Sequence, residues 1–405
     1  MANAAHAALE RVEERRGPVD AYVAGKLGYA KADLPKAFSA EQIDALASAI
    51  DNVERGAAFI IGDQTGIGKG RIAAGMLRFA MKNDMVPVFV TEKPDLYGDM
   101  FRDMRDIGIA DMLGREPRMF MTNAGETITL DEDALTWKQA ADAARAAGEK
   151  MPARKGKFLT AGTAAKVGDG MRRIAAGEDV ADVVFTTYDQ MNTVKGQDTP
   201  RRQFLARIAP RAMVVFDESH NAGGAAKTGW ESKNKPANRS DFARQIAASA
   251  KGVMFSSATY AKRPDVMDLY ARTDMGKAVD DPKLLPALIA KGGLPMQQIV
   301  AGMLAESGQY MRRERSFAGV EYAVQGVPVD LKAYKQFSDS MRSIFQFDLA
   351  VAETRKEMME DVLDAQGMAQ SKDGGVGEAG ANTIAFGSVM PNITSQMLLA
   401  IKADQ

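Results

Sequence analysis

Cysteine is absent from the 405 residues, which excludes a disulfide framework, a thiol nucleophile and any Cys-ligated zinc or iron–sulfur site. Histidine is nearly absent: only His6 and His220 occur. Two are too few for a multi-histidine metal centre, and a Ser-His-Asp triad is not expected. Charge of one sign is not in excess, since 52 Lys and Arg face 53 Asp and Glu. The net charge of -1 excludes a histone-like polycation but not a local basic groove, because nucleic-acid binding depends on where charges cluster. No run of about 18 uncharged apolar residues occurs, and the N-terminal MANAAHAALERVEERRGPVD lacks a signal peptide's apolar stretch. The expectation is a soluble protein that stays inside the cell, or is made there and packaged elsewhere.

What is present has the balance of a globular protein, 46% apolar and 26% charged, with length for roughly two or three domains. Residues 1–36 read as a helical arm ending near Pro35. A helix then starts at Ser39, with Glu41 and Gln42 in its first turn and Ile43, Leu46 and Ile50 at helical spacing. AAFIIG (Ala57–Gly62) reads as a strand running into the glycine-rich DQTGIGKGR, and Ile72, Met76, Leu77 and Phe79 mark the helix beyond it. VPVFVT (Val86–Thr91), VVFTT (Val183–Thr187), MVVFD (Met213–Asp217) and GVMFSSA (Gly252–Ala258) are further short apolar runs, and Leu96 to Ile107 reads as a helix. Short strands apolar on both faces, separated by helices, predict an α/β fold with a parallel sheet covered on each side. The interval from about 125 to 182 shows no strong strand and reads as a charged, alanine-rich insertion; 365–387 is a glycine-rich loop.

Gly66, Gly68, Lys69 and Gly70 follow a strand and open a helix, the context in which a phosphate loop is meaningful. Glycines let several backbone N–H groups turn toward a phosphate, the helix adds its positive end, and Lys69 would neutralise the β- and γ-phosphates. The position after the lysine, which usually carries a Ser or Thr for magnesium, is Gly70, with Arg71 next. Thr65 is the nearest hydroxyl but sits on the wrong side of the loop for a clean substitute. The strand MVVFD delivers Asp217, Glu218, Ser219 and His220 to the rim where ligands bind in such sheets. There Asp217 would hold magnesium and Glu218 would orient and deprotonate an attacking water. Ser257, Ala258 and Thr259 end another strand, and their hydroxyls are placed to bond His220 or the acidic pair and so report the nucleotide's state.

Taken in order, DQTGIGKG, DESH and SAT resemble motifs I, II and III of superfamily 2 helicases. More narrowly, FSAEQIDAL, GDQTGIGKGR, TEKPDLYGDMFRDMRDIG, TTYDQM, VVFDESHNAGG and SSATYAKRPDVM resemble the strawberry notch-like helicases, including their phage-borne antirestriction branch. The likeness runs from about Gly28 onward and is strongest between Phe38 and Asp265. It implies a RecA-like P-loop NTPase domain over 56–320, after an N-terminal helical arm (1–55) with a glutamine motif and before a helical extension (321–405). It implies ATP and Mg2+ as cofactors, and a nucleotide set of Gln42 (on the adenine edge), Asp63, Thr65, Gly66, Gly68, Lys69, Gly70 and Arg71. Asp217 is the implied metal residue, Lys69, Asp217 and Glu218 the catalytic ones, and His220, Ser257 and Thr259 couple the site onward. Thr91 and Lys93, with Thr187 and Tyr188, match contacts to a nucleic-acid backbone, so the implied partner is DNA, double-stranded and read without sequence preference. Basic clusters at Arg154–Lys157, Arg172–Arg173 and Arg201–Arg202 would add non-specific attraction.

Superfamily 2 motors use two RecA-like domains, the second bringing an arginine finger. After Arg312, Arg313 and Arg315 the sequence shows no second series of phosphate-type strands, and NITSQMLLAIKAD resembles a junction toward such a domain. The chain therefore reads as a first motor domain plus connector, from a longer protein or a split gene. Its expected partner is a second RecA-like domain, in cis or in trans, and its expected ATPase is weak or inactive alone. The expected location is the bacterial cytoplasm, or a phage virion after packaging. From a different class stands a non-catalytic virion-internal or binding module that keeps the P-loop fold. A small-molecule NTPase or kinase is a third reading, against which the motifs after the second and fourth strands argue.

Overall fold

A computed structural model describes residues 2–64, 66–222, 238–258 and 264–314, with scattered positions between 332 and 354. Helices α1 (Ala2–Arg16), α2 (Val19–Leu27), α3 (Leu34–Ala37) and α4 (Ala40–Glu54) lead to β1 (Ala58–Ile61). Next come α5 (Lys69–Lys82), β2 (Val86–Thr91), α6 (Leu96–Asp106), α7 (Ile109–Leu113) and β3 (Met119–Met121). Then follow β4 (Thr127–Thr129), α8 (Glu132–Ala147), β5 (Phe158–Thr160), α9 (Ala164–Ala176) and β6 (Val183–Thr187). The series closes with α10 (Pro200–Ile208), β7 (Ala212–Asp217), α11 (Arg239–Ser249), β8 (Gly252–Ser256), α12 (Leu285–Glu306) and β9 (Tyr310–Met311).

Seven strands form one parallel sheet in the order β3-β6-β2-β7-β8-β1-β9. Alternate residues of each strand enter opposite cores, as the two-residue period of a strand requires. On β7, Met213 and Val215 join the core built with α4, α5 and α6, whereas Ala212, Val214 and Phe216 join the one built with α9, α10 and α11. Both faces are thus dry, which explains why the strands are apolar throughout rather than alternating. Each buried Val, Ile or Phe contributes about 1.5–3 kcal/mol relative to exposure. The first helices are part of this packing: Val12, Val23 and Leu27 are buried against the same core as Leu46 and Phe59.

The start of α4 follows from its first residues. Ser39 Oγ accepts from Gln42 N and Gln42 Oε1 accepts from Ser39 N, a reciprocal capping box. The stretch read as strand-free holds a two-stranded antiparallel ribbon, β4 with β5. Strands of two or three residues are too short to show a period in sequence, which is also why β3 and β9 are not visible there. Helix α12 breaks at Gly293, whose φ of 60° and ψ of -153° lie outside the helical region. By contacts the chain divides into two units, Met1–Ser316 and Phe317–Gln405. The first holds the sheet; the described positions of the second are helical. The glycine-rich stretch 365–387 and the NITSQMLLAIKAD segment lie outside the described residues.

Candidate functional site

Because all seven strands are parallel, their C-terminal ends share one edge, where ligands bind in open α/β sheets. That edge gathers the loop after β1, Thr91 of β2, Thr187 of β6, Asp217 of β7 and Ser256 of β8. A cavity of about 280 Å3 opens there, lined by Gly66, Gly68, Lys69 and Gly70, by Asp217 and Glu218, and by Asp99 and Asp103 of α6. A larger apolar cavity of about 580 Å3 lies beside α12, lined by Met275, Leu285 and Met303 among others, and holds none of the motif residues.

The loop is held open by specific contacts. Gly68 enters α5 with φ of 90°, a left-handed conformation that favours glycine. A Cβ there would also meet Gln42 Nε2 at 2.4 Å. Lys69 Nζ donates to the Asp63 carbonyl at 2.8 Å, so the ammonium is folded back over the loop. Gln42 Nε2 donates to the Gly68 carbonyl at 3.3 Å. In this structure Gln42 therefore braces the loop and caps α4. The Asp63 carboxylate is fully buried and accepts from Arg313 N at 2.9 Å and from Arg313 Nε at 3.0 and 3.1 Å, and it pairs with the guanidinium as well. Arg313 also donates to the Glu41 carbonyl. Arg71 lies across α6, bonding the Ala37 carbonyl and Asp106.

Asp217 ends the central strand, and both neighbouring strands grip it: Thr91 Oγ1 donates at 3.2 Å and Ser256 Oγ at 3.3 Å. Burial, then the charge of Glu218, pushes the Asp217 carboxyl above its ordinary range, against these two hydrogen bonds. Glu218 is also raised by burial, with Lys69 opposing and Glu92 adding to the shift. Its φ of 44° is a strained setting for a residue other than glycine, costing about 1–3 kcal/mol. The turn is clamped from below by a row of aromatic rings, Tyr188, Phe216, Phe255 and Tyr270, with successive centroids 6.4, 5.4 and 4.9 Å apart. Tyr188 OH donates to the Asp217 carbonyl at 2.7 Å, and Tyr270 OH lies 2.9 Å from Ser219 Oγ. His220 Nδ1 lies 2.9 Å from Ser257 Oγ and 3.3 Å from Glu218 Oε2, joining the ends of β7 and β8. Thr65 and Thr259 lie outside the described residues.

With loop, lysine and acidic pair facing one cavity, the comparison with known families is decisive. Residues 29–339 match the profile of the family described as P-loop containing NTP hydrolase pore-1. The chain belongs to that family. It is 24% identical over 296 residues to the protein strawberry notch of Drosophila melanogaster, covering 70% of this chain and 15% of the fly protein. To human strawberry notch homolog 2 it is 26% identical over 309 residues, covering 72% of this chain and 18% of that protein. The chain thus spans less than a fifth of these relatives. A Sulfolobus solfataricus SWI2/SNF2 ATPase core in complex with dsDNA aligns with TM-score 0.39 and 12% identity, over 90% of this chain and 64% of that one. By that family match the chain is a P-loop NTPase domain, similar in sequence to part of the strawberry notch proteins, and it has the parallel sheet that its motifs imply.

A magnesium ion usually accompanies nucleotide in this family's fold, and the residues fit one. The cavity offers carboxylate oxygens, the donors a hard cation takes. Among the described residues no three His, Asp or Glu side chains form a metal cluster. Asp103 of α6, which lines the same cavity, is pushed up to about 6 by burial, with Arg71 opposing and Asp106 and Asp99 adding.

In this family member the four positions matched to a nucleic-acid contact divide. Thr91, Thr187 and Tyr188 are buried, their side chains turned to Asp217 and, for Thr187, to Asn123 Nδ2 at 3.3 Å. Only their main chain is left for a phosphate backbone. Lys93 alone is open, its side chain 70% exposed. The basic clusters divide: Arg154, Lys155, Lys157, Arg172 and Arg173 are exposed, whereas Arg201 and Arg202 are engaged inside. Arg154 stacks on Phe158, Arg172 and Arg173 pair with Asp169 and Glu178, and Arg201 bonds the Thr122 carbonyl. Arg202 is buried on Asp198 and the Met191 carbonyl. Sequence reading missed Asp103, Tyr270 and the Arg313 clamp; Arg313 stands 250 residues from Asp63, with no local signal. No helix among the described residues is long and apolar enough to cross a membrane.

Removing Arg313 would leave the Asp63 carboxylate buried without its cation, a change that costs about 3–5 kcal/mol. Arg313→Gln should therefore lower the thermal midpoint by several degrees in a calorimetric scan, and an unchanged midpoint would show the pair to be idle.

Proposed function

We propose that this chain is the ATP-binding first motor domain of a strawberry notch-like translocase on DNA. The observation that carries the reading is the cavity in which Lys69 and the loop glycines face Asp217 and Glu218 across the C-terminal edge of the sheet. ATP would lay its phosphates on the loop, and Lys69 would exchange the Asp63 carbonyl for the β- and γ-phosphates. Magnesium, held toward Asp217, supplies charge neutralisation between those phosphates. Glu218 would orient an attacking water and take its proton, a role supported by its neighbours Lys69 and His220. His220 and Ser257 would carry the state of the site toward the next strand.

Lys69→Ala removes a charge-assisted contact worth about 1.5–3 kcal/mol, so ATP affinity should fall about ten- to a hundredfold by calorimetry. Equal affinity in both proteins would remove the lysine from the site. Turnover by residues 1–405 should be very slow, because an arginine finger can be worth about 10³-fold or more. Brisk DNA-stimulated hydrolysis by this chain alone would show that no second domain is required.

DNA would be held through main-chain groups at the strand ends together with Lys93, so few phosphates are neutralised. Affinity should be micromolar or weaker near physiological salt, independent of sequence, with a log–log salt slope of about -2 to -4. Lys93→Glu should weaken every duplex alike in fluorescence anisotropy; strong sequence preference, or no effect of the substitution, counts against the motor. The inward-turned Thr91, Thr187 and Tyr188 favour the second reading, a module that keeps the fold without gripping DNA, and absence of binding at low salt would select it. The phage antirestriction role is supported by the motif resemblance alone. It fails if phage carrying Lys69→Ala plate like wild type on a restricting host.

A further inference from the structure

The phosphate loop has a glycine where such loops usually carry the hydroxyl that faces magnesium. The structure shows what occupies that space. A Cβ built on Gly70 would lie 2.1 Å from Asp103 Oδ2 and 3.1 Å from Asp103 Cγ. No side chain fits at 70 while Asp103 stands there, and a carboxylate oxygen occupies the region that a Ser or Thr hydroxyl would reach. Asp103 arrives from α6, which packs on α5, and its carboxyl lines the same cavity as Lys69, Asp217 and Glu218. Arg71, the cation that most favours its charged form, is engaged by the Ala37 carbonyl and Asp106.

We propose that Asp103 supplies, from α6, the oxygen donor for the nucleotide's magnesium ion that loop position 70 lacks, so that Gly70 and Asp103 form a matched pair. The assignment rests on the nucleotide reading of the cavity. An anionic oxygen is a stronger donor to a hard cation than a hydroxyl. It carries a distinctive cost: without the cation, a carboxylate at this place repels the phosphates. A carboxylate that merely filled space beside Gly70 would also repel the phosphates, but its removal would leave the magnesium enhancement unchanged.

The test measures ATP affinity of the full chain by calorimetry, once with magnesium and once with EDTA. Wild type should bind more tightly with magnesium. Asp103→Asn should bind as tightly as wild type or more so in EDTA, yet lose about tenfold or more of the magnesium enhancement, the scale seen when groups supporting a metal are removed. The EDTA arm also shows that the variant is folded. The double variant Gly70→Ser with Asp103→Ala, which returns a hydroxyl to the loop and clears its space, should regain most of the enhancement. Full magnesium enhancement in Asp103→Asn would overturn the proposal while leaving the nucleotide site intact. So would a double variant that binds ATP in EDTA but gains nothing from magnesium. Absence of ATP binding by wild type in both conditions would instead overturn the nucleotide reading itself.

Discussion

Asp217, a carboxylate at the end of the central strand of a sheet dry on both faces, is the constraint around which the site is organised. An ionised group in that position is costly unless neighbours satisfy it. The two strands beside β7 each contribute one hydroxyl, Thr91 and Ser256, and the ring of Tyr188 holds the Asp217 carbonyl from below. Three strands and the rim they share are fixed relative to one carboxylate. The left-handed turn at Glu218 is tolerable for the same reason, since the aromatic row fixes the chain on both sides of it.

The opposite side of the cavity is built by long-range sewing. The phosphate loop springs from β1, but its shape depends on Gln42 from the helix before that strand and on Arg313 from the chain beyond β9. Asp63 is the knot: its carboxylate holds Arg313 and its carbonyl holds Lys69. A buried pair of this kind adds little net stability compared with an apolar replacement, yet breaking it is expensive. What it provides here is a fixed relation between the loop and a segment from the far end of the first unit.

The same packing logic separates groups that can meet a ligand from those that cannot. Short hydroxyls at strand ends serve equally well as internal braces or as phosphate contacts, and in this fold Thr91 and Thr187 are braces. Arginines adjacent in sequence take different partners: Arg172, Arg173 and Arg202 pair with carboxylates close by in the chain, whereas Arg201 reaches the Thr122 carbonyl. The family match spans residues 29–339, and the aligned part of the chain covers only a small share of the longer relatives.

The sequence by itself determined the class of fold and the chemistry of the rim. Strands buried on both faces must be apolar throughout, so β1, β2, β6, β7 and β8 were legible, and with them the placement of Lys69 and Asp217 at the rim. Strands of two or three residues carry no period, and β3, β4, β5 and β9 were not legible. Only the tertiary structure decided which side chains face the cavity. Whether Thr91 points to solvent or to Asp217, whether Arg202 is a surface charge or a buried one, and that Asp103 fills the space beside Gly70 depend on contacts between segments far apart in the chain. Local spacing records which face of an element is apolar; it holds no record of which distant element will pack there.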